Sequence, residues 1–313
     1  MTDTSSDSVF ECKVPPNSAN SLFIDENGRV QLSAPTTVHL NRDRKSPITI
    51  HLEKTVANGG FSTVLEGSFN DKRVVLKMPT MTEDALSSSK REYEILARLQ
   101  RANSSIKCAI ITLLEVGIDE DLYMLVFPLL RPLNRVFPKP KGDPGEKAWF
   151  SHAQAVKIMI ELLVAVQFVH VNKVVHNDIK KENVLVDEQM RPYLDDFGMA
   201  HPSTDRIPVA TRAGRSPENI MQSGFGVKSD VWTLGCLFFF LLTGRDLVPT
   251  ECIGKNDRRQ LTTLMMRTGT EINHPCIQDN LHLHGLLYGG LSKLTIRSIS
   301  VCCLSSLGSG CIG

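Results

Sequence analysis

Apolar residues change their spacing along this chain, and the order of that change limits the folds open to it. Up to about residue 127 the pattern is short and alternating. Ile48–Leu52 and Thr63–Gly67 alternate, and Arg73–Met78 is a β-branched run after the turn Asn70-Asp71, which predicts a three-strand antiparallel meander. Glu83–Gln100 then carries Leu86, Ile95, Leu96 and Leu99 at helical spacing, and Ile110–Val116 and Leu122–Phe127 are expected to be strands. Arg131–Glu146 is rich in Pro, Lys and Gly and reads as a connecting loop. Beyond it the spacing turns helical. Ser151–Val171 predicts an amphipathic helix with Ser151 as N-cap, and Asp230–Leu242, apolar almost all round, predicts a buried one. Sheet first and helices later, with a linker between, predicts an α+β chain of two lobes with a ligand cleft between them.

Bulk properties exclude several function classes. The 313 residues carry a formal net charge of +1, so no overall field draws the chain to nucleic acid or an anionic membrane. The longest apolar run, near Leu234–Leu242, is too short to cross a bilayer, and Met1–Phe10 is too polar for a secretory signal. The eight cysteines are scattered without a CxxC pair, and Cys311 stands one place too late for a prenylation box. A reduced interior, cytoplasmic or nuclear, is the expected setting. The basic cluster Arg42-Arg44-Lys45 is too short to argue nuclear import.

The densest chemistry lies in His176-Asn177-Asp178-Ile179-Lys180-Lys181-Glu182-Asn183, followed thirteen residues after Asn183 by Asp196-Phe197-Gly198. Phosphoryl transfer needs a carboxylate to orient a hydroxyl and hard oxygens to hold a divalent cation. Asp178 has the group for the first task, and Asn183 and Asp196 have the oxygens for the second. Lys180 can steady a moving phosphate. A polar loop beside a chance Asp-Phe-Gly explains either piece alone; both together, in this order, favour the chemistry.

His-x-Asp-x-Lys-x-x-x-Asn followed by Asp-Phe-Gly resembles the catalytic and metal loops of eukaryotic protein kinases, and Lys180 resembles the serine/threonine type. The resemblance covers roughly residues 48–250. It implies a bilobal kinase domain over 46–285, with a small antiparallel sheet and one helix over 46–127 and a mostly helical lobe over 128–285. Residues 1–45 are expected to be a disordered segment with one hairpin around Asp25–Gly28, and 286–313 an atypical tail. The implied activity is transfer of the γ-phosphate of ATP, with Mg²⁺ or Mn²⁺, to a Ser or Thr hydroxyl of a protein substrate. No nucleic-acid or membrane partner is expected.

The same resemblance extends to both sides of the motif pair. Ala57-Asn58-Gly59-Gly60-Phe61-Ser62-Thr63-Val64 is similar to the glycine-rich loop whose amides cover the phosphates, with Ala57 and Ser62 in place of glycines; a Gly-Gly hairpin turn explains it equally. Lys77 in Val74-Val75-Leu76-Lys77 resembles the phosphate-binding lysine, with Val75 where alanine is usual. Glu92 is the implied carboxylate partner, Glu94 the alternative. In Val126-Phe127-Pro128-Leu129 the Phe127 carbonyl and Leu129 amide are implied to bind adenine, with Val64, Val75 and Leu185 against the ring; each apolar residue also fits a plain core position. Asp230 in Asp230-Val231-Trp232 resembles the residue that holds the catalytic loop, in line with Leu96, His176 and Phe197. Ala210-Thr211-Arg212 through Ser216-Pro217-Glu218 resembles the substrate loop.

Three departures carry expectations of their own. Asn177 replaces the arginine that would bind a loop phosphate, so phosphate at Ser203 or Thr204 is not expected to switch the chain; control by a regulatory partner protein or by abundance is. Asp195 adds a carboxylate beside Asp196. Beyond Thr250 no late helix, and no arginine to pair with Glu218, stands in a convincing context among Arg258, Arg259, Arg267 and Arg297. His274, Cys276, His282 and His284 fit no zinc spacing and read as tail. A pseudokinase scaffold and a poorly folding fragment are the competing readings.

Overall fold

The computed structural model describes residues 21–42, 45–102, 109–136, 150–203, 216–220, 226–248 and 257–268. A hairpin of β1 (Leu22–Ile24) and β2 (Val30–Leu32) comes first. Its turn is built by Asp25, whose carboxylate accepts the amides of Asn27 and Arg29 at 2.9 Å each, and by Gly28 at φ 72°. β3 (Thr36–Arg42), β4 (Lys45–Asn58), β5 (Ser62–Phe69) and β6 (Lys72–Pro79) follow as an antiparallel meander. Helix α1 (Glu83–Ala102) leads to β7 (Glu115–Asp119) and β8 (Leu122–Pro128), which complete one sheet in the order β3-β4-β5-β6-β8-β7.

This sheet curls until its two edges meet. Register shifts at Leu52/Lys54 and Thr55/Ala57 bend the long β4. Arg42 on β3 then pairs with Glu115 on β7 at 3.0 Å, and a Cβ on Gly117 would lie 2.8 Å from the Leu40 Cβ. Val30, Leu40, Ile50, Leu65, Leu76 and Val126 fill a core of their own. The expectation of disorder over 1–45 is therefore corrected for residues 21–42, while residues 1–20 lie outside the described residues. Ser, Thr and Asn dominate the segment's composition, but Leu22, Val30, Val38 and Leu40 are all buried. The alternation Val38-His39-Leu40 is enough to make a strand when a sheet waits to receive it.

The second lobe begins with β9 (Arg131–Pro132) and the single turn α2 (Leu133–Val136), so the expected loop over 131–146 is structured up to residue 136. Leu133, fully buried, pulls that stretch into the core; residues 137–149 lie outside the described residues. Helix α3 (His152–Val171) starts from a capping box, the Ser151 Oγ accepting the Gln154 amide and Gln154 Oε1 accepting the Ser151 amide. It is less amphipathic than expected: Val156, Ile160, Leu163 and Val164 face outward while Ala155, Ile158, Leu162 and Val169 face the core. β10 (Val174–Val175), β11 (Val184–Val186), β12 (Pro192–Leu194) and β13 (His201–Pro202) are short pieces around the loops of interest. Residues 110–114 were expected in a strand with 115–116. Instead Ile110 bridges to Leu194, so this segment ties the lobes together.

Helices α4 (Pro217–Ile220), α5 (Val227–Thr243) and α6 (Asp257–Thr268) close the described chain. Leu261 and Leu264 of α6 pack on Ile220 and Val248, a late helix where none was expected. Its two apolar turns are too short to stand out by periodicity alone. The main core joins Leu96 and Leu99 of α1 to Leu125 and Phe127 of β8, Leu162 of α3 and Leu234 of α5.

Candidate functional site

Strand β6 places Lys77 at the open face between the lobes. Its Nζ lies 2.7 Å from Glu92 Oε2 on α1 and 2.9 Å from Asp196 Oδ1. Glu92 is 1% exposed, whereas Glu94, the alternative partner, is exposed to solvent. Helical spacing explains the choice: Glu92 shares the face of Ser89, Ile95, Leu96 and Leu99, and Glu94 does not. Glu92 also accepts the Phe197 amide through Oε1 at 3.3 Å. Two residues missed in the sequence finish this junction, since Ser88 Oγ and Arg91 both donate to the Gly198 carbonyl, at 3.1 and 2.7 Å. Helix α1 thus holds the Asp196-Phe197-Gly198 turn from three positions.

The electrostatics follow from four groups crowded together, of which Glu92 is buried and Lys77, Asp195 and Asp196 are half-buried. Burial works to lower the Lys77 pKa, but the carboxylates of Asp196, Glu92 and Asp195 outweigh it and hold the ammonium charged. Burial pushes Glu92 up to about 7, against the pull of Lys77. Asp196 resists burial because Lys77 sits on it, and falls to about 2. Asp195 is raised by burial, with Lys77 opposing and the Asp196 charge adding to the rise. The proximity of Asp195 is therefore felt through charge, while its backbone does structural work: its amide donates to the Asn183 carbonyl at 2.9 Å and its carbonyl accepts His176 Nε2 at 3.1 Å.

The second cluster surrounds Asp178. Its Oδ2 accepts Lys180 Nζ at 2.7 Å and Asn183 Nδ2 at 2.8 Å. The loop under it is fixed by Asp230, 1% exposed at the start of α5. Asp230 Oδ2 accepts the His176 amide at 2.8 Å and faces His170 Nε2 at 2.8 Å; Oδ1 accepts the Asn177 amide at 2.9 Å. His176 receives the Asp178 amide at Nδ1 at 3.3 Å and gives Nε2–H to Asp195, so its two ring nitrogens fix a single tautomer. The His176 and Phe197 rings meet at a tilt of 58°, their centres 4.6 Å apart. Asn177 takes the left-handed conformation at φ 68° and its Nδ2 donates to the Met199 carbonyl at 3.3 Å.

The remaining nucleotide-site expectations divide. Ala57 to Ser62 form the tip of the β4–β5 hairpin: Ala57 pairs with Val64 and Asn58 with Thr63, and the Gly59 amide donates to the Ser62 carbonyl at 2.8 Å. Asn58, Gly59, Gly60 and Phe61 are exposed there. Val64, Val75 and Leu185 are half-buried. Phe127 and Leu129, the residues expected at the hinge, lie on the ladder with β6. The Leu129 amide donates to the Arg73 carbonyl at 3.2 Å, and Val75 pairs with Phe127 two residues along the same ladder. Alternation then directs the backbone groups of both Phe127 and Leu129 to the side of β8 on which Val75 lies. Val126 shows the opposite sense, its carbonyl accepting the Leu114 amide at 2.8 Å. Pro128, between Phe127 and Leu129, stands where no ladder N–H is needed.

Ala210, Thr211 and Arg212 lie outside the described residues, as do the side chains of Glu218, Arg258 and Arg259, the whole of Arg297, and His274, Cys276, His282 and His284. Arg267 donates to the Asp246 carbonyl at 3.2 Å.

Known proteins share this arrangement in sequence. The chain is 28% identical to cysteine-rich receptor-like protein kinase 7 of Arabidopsis thaliana over 72% of its own length and 35% of that protein's. It is 26% identical to serine/threonine-protein kinase PBS1 of the same plant, over 76% and 54%. It is 30% identical to mitogen-activated protein kinase HOG1A of Wallemia ichthyophaga, over 58% and 46%. The chain thus spans about a third to a half of the length of these relatives. The curled sheet with its one helix, the mostly helical second lobe and the paired clusters at Lys77 and Asp178 all lie within or across residues 50–294, where the protein kinase domain family matches, and the chain belongs to that family.

Proposed function

We propose that this protein transfers the γ-phosphate of ATP to a serine or threonine hydroxyl of a protein substrate. The observation that carries the reading is the position of Lys77, one half-buried ammonium shared by a carboxylate of the sheet lobe's helix and a carboxylate of the other lobe's loop. A structural lysine needs one such partner. Two, set beside an oriented Asp178, make a phosphate site.

In this reading Lys77 binds phosphate oxygens and Glu92 holds it in place. Asp178 accepts the proton of the substrate hydroxyl as its oxygen bonds the γ-phosphorus, the bond to the β–γ bridging oxygen breaks, and ADP leaves. Lys180, already 2.7 Å from Asp178, offsets charge on the moving group. The amides of the Ala57–Ser62 hairpin tip cover the phosphates. The Phe127 carbonyl and the Leu129 amide, which lie on the same side of β8 as Val75, meet adenine between Val64, Val75 and Leu185. Asn183 and Asp196 fit a divalent cation by their chemistry: Asp196 stays ionised, and Asn183 commits its amide nitrogen to Asp178, turning its oxygen away. Mg²⁺ or Mn²⁺ held there supplies charge neutralisation for the phosphates.

Serine/threonine preference is supported by Lys180 and by the names of relatives such as serine/threonine-protein kinase PBS1. A cytoplasmic or nuclear setting and a regulatory partner protein belong to the same proposal, supported by the scattered cysteines and by Asn177 in place of an arginine.

The test is transfer of labelled γ-phosphate from MgATP to a generic Ser/Thr substrate and to the protein itself, with Asp178→Asn alongside. Transfer by the wild type that the variant loses is the expected result. A folded wild type that binds nucleotide without transfer would make the chain a scaffold, the reading that Ala57 and Val75 favour.

A further inference from the structure

Two carboxylates at opposite ends of α5 reach the segment that carries Asp178. Asp230, in the first turn, accepts the His176 and Asn177 amides. Asp246 lies just past the last turn, where Gly244 at φ 67° caps the helix on the Phe240 carbonyl and turns the chain back. Both Asp246 oxygens take Lys181 Nζ, at 2.6 and 2.7 Å. The same ammonium stands 4.5 Å from the centre of the Phe240 ring. On its other side the Asp246 backbone is tied to α6 through Arg267.

Lys181 opens the tight turn Lys181–Asn183, whose neighbours do the orienting. Lys180, one residue before, and Asn183, two residues after, both bind the same oxygen of Asp178. A shift of Lys181 would carry both groups with it.

We infer that Lys181 and Asp246 form a positioning clamp that fixes the aim of Lys180 and Asn183 at Asp178. The clamp rests on the phosphotransfer reading above. It anchors from within the fold a loop whose Asn177 offers no cation to an outside phosphate. The pair is partly exposed, at 24% and 39% for the two side chains, and such pairs add little to global stability. Its effect falls on rate, because a reacting group displaced on the ångström scale loses turnover before it loses the fold.

The experiment compares Lys181→Met, Asp246→Asn, their double variant and Lys181→Arg in the full chain, by phosphate transfer and by hydrogen exchange over residues 176–184. Each neutralising change is expected to lower kcat by about tenfold with KM for ATP unchanged, and the double variant to be no slower than either. Lys181→Arg keeps most of the rate. Exchange over 176–184 rises in both single variants while the thermal midpoint stays put. Full kcat in Asp246→Asn, or a double variant whose losses multiply, overturns the clamp. If the wild type transfers no phosphate, the phosphotransfer reading fails by itself. The exchange measurement then still decides the clamp, and unchanged exchange in Asp246→Asn refutes it.

Discussion

Lys77 Nζ sits 2.7 Å from Glu92 and 2.9 Å from Asp196, so a single cation on the sheet neutralises a helix of its own lobe and a loop of the other. Lys77→Met leaves Glu92 buried without a counter-charge. Removing one partner of a buried pair costs about 3 kcal/mol, and phosphate transfer should be lost as well. Lys77→Met combined with Glu92→Met should regain much of the stability and none of the activity. Urea unfolding beside a transfer assay separates the two effects. Equal stability of the single and double variants would show that the pair is not the source of the loss.

The raised Glu92 gives a pH dependence of definite sign. Burial, opposed by Lys77 and reinforced by Asp196, lifts it from 4.5 to about 7. A raised acid binds its proton more tightly folded than unfolded, so its contribution is complete below 4.5 and is lost as pH rises through 7. Asp195, also raised, acts in the same direction. Asp196, lowered from 3.8 to about 2, contributes fully above 3.8 and loses that contribution only as pH falls towards 2. Between about pH 5 and pH 8, therefore, wild-type stability should fall relative to Glu92→Gln, by on the order of 2 kcal/mol. Unfolding of the nucleotide-free protein across this range measures it, and a difference that does not change with pH would contradict the assignment.

Much of the site could be read in advance because its residues sit close together in sequence and each needs a particular chemical group. The fold brings Lys77 to Glu92 and Asp196, Asn183 to Asp178, and Asp230 to the loop beneath them. What escaped the sequence depends on register and on distant partners. The bond from the Leu129 amide to the Arg73 carbonyl follows from ladder register, which no motif states. Asp246 meets Lys181 from 65 residues away, and no local spacing predicts that meeting. The strands over residues 22–42 were hidden by polar composition, because buried Val38 and Leu40 alternate with exposed His39 and Asn41.

The closure of the sheet depends on a contact with no room for a side chain. A Cβ at Gly117 would lie 2.8 Å from the Leu40 Cβ and 3.0 Å from the Met124 Cε. Gly117→Ala should destabilise the protein by about 1–3 kcal/mol through overpacking. Leu40→Gly on the same background removes the clashing Cβ and should recover part of that loss, although alone it costs no less than a Leu→Ala cavity, about 2–5 kcal/mol. Such a non-additive pair is the signature of direct contact. Thermal or urea unfolding of the three variants decides it, and strictly additive losses would mean that β3 and β7 do not meet in solution.

Asn177 replaces a charged anchor with a local one. Its left-handed backbone at φ 68° suits asparagine, its amide is held by Asp230, and its side chain reaches the Met199 carbonyl while Oδ1 stays buried without a partner among the described residues. Nothing in that arrangement calls for a phosphate. Phosphatase treatment should leave the wild-type transfer rate unchanged, and Ser203→Ala should do the same. Asn177→Ala should lower stability by about 1–2 kcal/mol, since alanine resists this backbone conformation and the link to Met199 is lost. Asn177→Gly keeps the conformation and should lose less. The comparison is informative in both directions. A rate that collapses on dephosphorylation would place the switch in the loop after all, and equal stability of the alanine and glycine variants would remove the backbone from the argument.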